Sequence, residues 1–405
     1  MIPMVNKKRA ILIYLTVALF LIFEMAVQVS PSVMTSNLMK DLNISAFALG
    51  LMSSVYFYSY TAMQIPSGLL FDRFKPKNII AGAIIICSLG ALLFGTTHHF
   101  YFACLFRLMM GLGSAFAFVS VLVVASDLFH QKYFALITGI TQMLAALGAM
   151  SGQLPVSILV ERFGWRLTMF SLGIFGIILA IVIWFLLNYE KVIIKMCEKN
   201  QSWFSSVKND LKIIARNKQT WTVAVYACLL WAPMSGFASL WGVPFLIHAD
   251  QLSKIEAAFA SSMMWLGLAV GSPLLGLFTN FVKNKILPLW LSALVGAIAF
   301  LIVIKTQTSL PMISACLFLA GAACSGQALS FAVVRNNNIP SVKSTAIALN
   351  NMAVVISGAL FQPLLGWLLH SKAFSHAVDF QMAMFVIFFA YLIGFIVALT
   401  AIKAN

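Results

Sequence analysis

Gly68-Leu69-Leu70-Phe71-Asp72-Arg73-Phe74-Lys75-Pro76-Lys77 ends one long apolar segment and begins the next. A glycine inside an apolar helix predicts close approach of a neighbouring helix. An aspartate at a helix end can accept hydrogen bonds from a neighbouring helix N-terminus or an arginine, and such a bond can latch one conformation and break in another. The basic tail marks a loop held on the cytoplasmic side. The stretch recurs 208 residues on: Gly68 meets Gly276, Asp72 meets Asn280, Lys75 meets Lys283 and Lys77 meets Lys285. Ser53-Ser54 meets Ser261-Ser262 at the same offset. One offset near half the chain length predicts two parallel repeats.

Composition fixes the solvent. The 405 residues are 61% hydrophobic and 9% charged, against about 25% charged in a soluble chain. So little polar surface points to lipid, where only helices and closed barrels satisfy the backbone. Apolar runs of about 20 residues without strand alternation favour helices. The net charge of +15 then reflects basic loops rather than nucleic-acid binding. Lys7, Lys8 and Arg9 precede an apolar run reaching about Met34, too long for a signal-peptide core, so it is read as the first transmembrane helix. The six cysteines form no framework and no CxxC, and read as small apolar fillers.

The expected spans lie near 10–37, 47–71, 78–97, 100–126, 133–160, 167–187, 220–247, 257–281, 286–304, 310–333, 344–369 and 378–401. The expected fold is therefore an all-α membrane protein, with twelve transmembrane helices in two pseudo-symmetric six-helix bundles. Its domains are a bundle over 1–187, a linker over 188–219 and a bundle over 220–405. Trp203, Phe204, Val207, Leu211, Ile213 and Ile214 among Lys208, Lys212, Arg216 and Lys218 predict that the linker lies as an amphipathic helix on the inner leaflet. With the N-terminus inside, nineteen Lys and Arg fall on the cytoplasmic side and six opposite, so both termini are expected in the cytoplasm.

The 68–77 stretch resembles the signature loop of the major facilitator superfamily, G-x-L-x-D-R-x-G-R-R/K, and departs from it at Lys75 and Pro76. Arg107-Leu-Met-Met-Gly111-Leu-Gly113-Ser-Ala115 resembles that superfamily's R-x-x-x-G-x-G-x-A helix. Asp127-Leu-Phe-His-Gln-Lys132 and Gly164-Trp165-Arg166 are similar to its turns before helices five and six. Helix five lacks the G-x-x-x-G-P element of drug antiporters. It carries Gly148 and Gly152 ahead of Gln153 and Pro155, a spacing that predicts a close helix contact. Gln28-Val-Ser-Pro31-Ser-Val-Met34, Tyr56-Phe-Tyr58 and Met63-Gln64-Ile-Pro66 resemble a proteobacterial branch that includes phagosomal nutrient transporters. The resemblance implies a carrier of the bacterial inner membrane working by alternating access, with Gly68, Asp72, Arg73 and Asn280 at its gates.

Ten of the eleven acids sit at helix ends or in loops, and Glu24 alone lies near mid-span. Intramembrane carboxylates normally face a cavity and work, so Glu24 is expected to couple protons or bind substrate. A structural hydrogen bond is the alternative. Gln28 lies one turn further along the same face, and Pro31 can kink helix one. Arg107 is the one cation within a span, roughly 9 Å outward from the middle of helix four at 1.5 Å per residue, near the depth of Gln28. Substrate carboxylate on Arg107 would free Glu24 for a proton, unless Arg107 serves only packing. Tyr56, Tyr60, Gln142, Trp231, Gln327, Asn350 and Asn351 complete the expected substrate contacts, with Trp241 and Trp265 as further aromatic walls.

These residues favour a monomeric secondary transporter surrounded by lipid, importing an amino acid, nucleoside or small organic anion with protons. No cofactor or nucleic acid is expected. An exporter or importer of a siderophore or other larger metabolite is the alternative. No Walker A motif supplies an ATP motor. The six histidines sit in or near loops, and His98-His99 has no nearby acidic partner, which argues against an enzyme.

Overall fold

The computed structural model describes residues 7–129, 134–187, 212–282, 284, 286–305, 309–339, 342–370 and 377–402. Among these every regular element is helical. The first span is the helix Lys7–Val29, a 3-10 turn Ser30–Val33 and a short helix Thr35–Asp41. The second is Ala46–Arg73, the third Pro76–Thr96, and the fourth Phe100–Ser114 continued by Ala117–Leu128. Phe134–Ser151 and the start of Leu154–Leu186 form the fifth. Gly164, at φ 77° and ψ 161°, breaks that last helix, and the remainder is the sixth. Only glycine adopts this backbone without strain.

The seventh span runs Lys218–Ala232, a π-helical stretch Pro233–Trp241, and Gly242–Ala249. The others are Lys254–Phe281, Leu287–Lys305, Leu310–Cys324 with Gly326–Asn336, Lys343–His370 and Ala377–Thr400. Among the described residues ten stretches are long and apolar enough to cross a membrane, and Ile137–Leu186 accounts for two passes because Gly164 divides it into two helices. With Ala46–Arg73 the described residues make twelve passes, so they begin and end on one side, called here the terminal face.

Local chemistry explains the boundaries. Ser45 caps the second helix by accepting from the Ala48 amide at 3.2 Å. Ser253 and Glu256 form a capping box on the eighth. The expected first helix over 10–37 is corrected: Pro31 lacks an N–H and the chain tightens to 3-10 geometry after Val29. Most of the expected amphipathic linker, 188–211, lies outside the described residues, and 212–216 form a helical turn before Asn217.

Small residues let the helices close up. A Cβ on Gly148 would lie 2.7 Å from the Ile22 Cα, and one on Gly152 2.5 Å from the Ala26 carbonyl. The expected close contact of helix five is therefore present, against helix one. Gly68 differs from expectation: among the described residues nothing lies within 4 Å of its Cβ position, nor of that of Gly276. These glycines seat no described neighbour. Asp72 and Arg73 lie in the last turn of the second helix and Asn280 in the last turn of the eighth, but their side chains lie outside the described residues.

The two bundles meet most closely on the face opposite the termini. A Cβ on Gly50 would sit 2.6 Å from the Gln362 carbonyl, and one on Gly366 2.6 Å from that of Ala46. Gln153 Nε2 donates to the Ala238 carbonyl at 2.7 Å and to Ser261 Oγ at 2.8 Å. Nearer the terminal face, Asn351 Nδ2 donates to Gln64 Oε1 at 2.6 Å.

Candidate functional site

The site begins with the two glycines of helix four. A side chain on Gly111 would collide with the Tyr56 carbonyl and Ser59, and one on Gly113 would collide with Ala83 and Cys87. Helix four is thus wedged against helices two and three. Arg107 stands one turn before Gly111 on the same face, so the wedge delivers its guanidinium to Tyr56. The guanidinium carbon lies 4.6 Å from the centre of the Tyr56 ring, within cation–π range. Its NH1 donates to the Val27 carbonyl at 3.3 Å and lies 3.7 Å from Met110 Sδ. That carbonyl is next to Gln28, so the depth match with Gln28 holds.

Tyr56 Oη donates to Glu24 Oε1 at 2.7 Å. Glu24, Tyr56 and Arg107 are all buried. Tyr60 stacks on Tyr56 with ring centres 6.0 Å apart. The expected cavity-facing Glu24 and its direct competition with Arg107 are corrected in form: Glu24 is enclosed, and the phenol of Tyr56 stands between acid and cation. Glu24 Oε2, Arg107 Nε and Arg107 NH2 are buried without hydrogen-bond partners among the described residues. Buried polar atoms of this kind are rare and costly, and at this site they leave one carboxylate oxygen able to take a proton and two guanidinium nitrogens able to donate to a ligand.

The other expected contacts divide. Gln28 is buried beside the cluster on helix one. Asn351 reaches Gln64 of the opposite bundle, whereas Asn350 Nδ2 donates within its own bundle to Ser330 Oγ at 2.7 Å. Gln327 is buried, and Gln142 and Trp231 are half-buried. No hydrogen bond among the described residues joins these three to Glu24, Tyr56 or Arg107. Trp241 and Trp265 are core residues, not walls: both are fully buried, and the Trp241 indole donates to the Gln362 carbonyl at 2.9 Å. The hydrophobic pattern does not mark the π-helical stretch, whose nine residues are all buried. Pro233 at its start, with Gly236 inside, is the only trace of it in the sequence.

The model of the Major Facilitator Superfamily matches residues 15–249. The probable L-galactonate transporter of Escherichia coli is 24% identical over 68% of this chain and 62% of its own length. This chain therefore spans about three-fifths of that relative. The probable galactarate/D-glucarate transporter of Bacillus subtilis is 24% identical over 69% of this chain and 67% of its own. A bacterial homolog of the human lysosomal transporter Spinster, solved inward-facing and unoccupied, superposes at a TM-score of 0.80 with 17% identity, covering 98% of both chains.

Proposed function

Since the chain belongs to the Major Facilitator Superfamily, we propose that it imports a small organic anion together with protons. It is a multi-pass membrane transporter of small organic solutes and not an enzyme. The observation that carries the finer reading is the buried Arg107 guanidinium, with two unpartnered nitrogens, tied through Tyr56 to Glu24. A carboxylate entering between the bundles satisfies those nitrogens with paired, charge-assisted bonds. It also draws on the Tyr56 hydroxyl, which weakens the hold on Glu24 and leaves that carboxylate to take a proton. The relatives named for galactonate and for galactarate or glucarate support an anion over an amino acid or nucleoside.

In this reading the protein is a monomer in the bacterial inner membrane. The terminal face is cytoplasmic, the 188–219 linker joins the two bundles, and the tight contacts at Gly50, Gly366 and Gln153 close the external side. Gln28, Tyr60, Gln142, Trp231, Gln327, Asn350 and Asn351 supply neutral contacts as solute passes, and the helix ends at Asp72, Arg73 and Asn280 move as the cytoplasmic side opens. Uptake into proteoliposomes under an imposed pH gradient, with L-galactonate and D-glucarate set against leucine and uridine, tests the substrate class. Accumulation of a hydroxy acid is expected, and accumulation of leucine or uridine alone would overturn it.

A further inference from the structure

A cleft of about 420 Å³ opens on the face opposite the termini, within the usual size range of small-ligand sites. One wall comes from the first bundle, with Thr35, Ser36, Lys40 and Ile44, and the other from the seventh span, with Trp241 and His248. Its chemistry is uneven in a useful way. Lys40 supplies a cation, and the adjacent Asp41 carboxylate is already engaged by the Trp165 indole at 2.9 Å and by Arg166. No carboxylate lines the cleft among the described residues. The His248 ring is fixed by stacking on Phe380, with centres 4.9 Å apart at 11°. Met39 and Ile44 offer apolar surface, and Trp241, fully buried and held by its bond to Gln362, backs the cleft. Hydroxyls of Thr35 and Ser36 complete the lining.

We propose that this cleft is a second binding site, distinct from Arg107, for a small organic carboxylate with a sugar-like or apolar face. Lys40 and His248 take the carboxylate, Thr35 and Ser36 take hydroxyls, and the C–H face lies on Met39 and Ile44. The choice of a carboxylate rests on the carrier reading above. Because its two walls belong to different bundles, the site exists only while the bundles are together on this side. A ligand there holds that side shut by mass action, so high external solute slows transport.

Calorimetric titration of the full-length protein with L-galactonate and D-glucarate tests this. Two binding events are expected. Arg107→Ala removes one and leaves the other, whereas the double variant Lys40→Ala/His248→Ala weakens the second at least tenfold and keeps the first. An unchanged melting temperature of the double variant without probe establishes that it is folded. The transport rate of the wild type should fall at high external galactonate, and that of the double variant should saturate simply. A double variant that binds both probes like the wild type, or a wild type with a single event lost in Arg107→Ala, overturns the second site. A cleft event without an Arg107 event overturns the substrate reading alone. Inorganic sulfate matching the probes at the cleft overturns the organic-acid assignment.

Discussion

The first and seventh spans occupy equivalent places in the two bundles and leave α geometry in opposite senses. The first tightens into a 3-10 turn at Ser30–Val33, while the seventh loosens into a π-helix over Pro233–Trp241, and the two irregular segments touch. Chemistry differs as sharply. At the 208-residue offset Glu24 corresponds to Ala232, Tyr56 to Met264 and Arg107 to Ala315. The helix contact is nonetheless echoed two residues out of that register: a side chain on Gly321 would collide with the Met264 carbonyl, as one on Gly111 collides with that of Tyr56. Helices four and ten also both break, after Ser114 and after Cys324. The repeat thus preserves helix contacts in both copies and places ionisable chemistry in one, leaving the other neutral and locally loosened. Loosened helical turns of this kind are frequent at functional sites.

The largest expected effect separates the two bundles directly. Arg107→Ala should lower kcat/KM for the transported anion by about 100-fold, as expected when one partner of a buried charge interaction is removed. Asn351→Ala should cost roughly fivefold, the worth of a neutral hydrogen bond. Equal losses in a transport assay would break the asymmetry. Tyr56→Phe should come next, at about tenfold: the ring stays under Arg107, but Glu24 loses its donor. Its loss should show in the pH dependence of transport more than in anion affinity.

Packing changes should be smaller and independent of substrate. Gly321→Ala should cost about 1–3 kcal/mol through overpacking against Met264. Gly68→Ala, with open space at its Cβ, should be neutral or stabilise by up to about 1 kcal/mol through helix propensity. Thermal melts of the two variants would check the contrast, and a destabilising Gly68→Ala would restore the close contact first expected of that motif.

The smallest effects concern two aspartates outside the spans, one in each half. Hydrogen bonds from Trp165 and then Arg166 hold the Asp41 carboxyl below its ordinary value. Its contribution to stability is therefore complete above the ordinary carboxylate pKa and lost as pH falls through the lowered one. Burial pushes Asp250 up to about 6. Its cost is present above that value and is relieved as pH falls from about 6 toward the ordinary value near 4. On acidification across that upper range the wild type should gain melting temperature relative to Asp250→Asn. Below it, the wild type should lose melting temperature relative to Asp41→Asn.

Much of the fold was legible because lipid leaves few options. Apolar length predicted the spans, the 208-residue offset predicted the repeat, and Gly164-Trp165-Arg166 marked the turn into helix six. The same logic isolated Glu24 and Arg107, since a charge in hydrocarbon stands out. Sequence did not place Tyr56 between them. A phenol in a span reads as a cavity wall or, near a helix end, as an interfacial anchor, and the contact of Tyr56 with Arg107 depends on how deeply Gly111 lets helix four sink. The π-helical stretch was hidden for a similar reason. It is set by packing of nine buried residues rather than by hydrophobic period, and Trp241 and Trp265 turned from walls into core with it.

The most direct test of the account is to compare wild type and Glu24→Gln in proteoliposomes, first under an inward proton gradient and then in counterflow without one, using whichever hydroxy acid the wild type accumulates. If Glu24 carries the proton through Tyr56 and Arg107, the variant keeps anion exchange and loses uphill accumulation. Uphill accumulation at the wild-type level in Glu24→Gln would contradict that coupling and reduce the buried cluster to a structural tie.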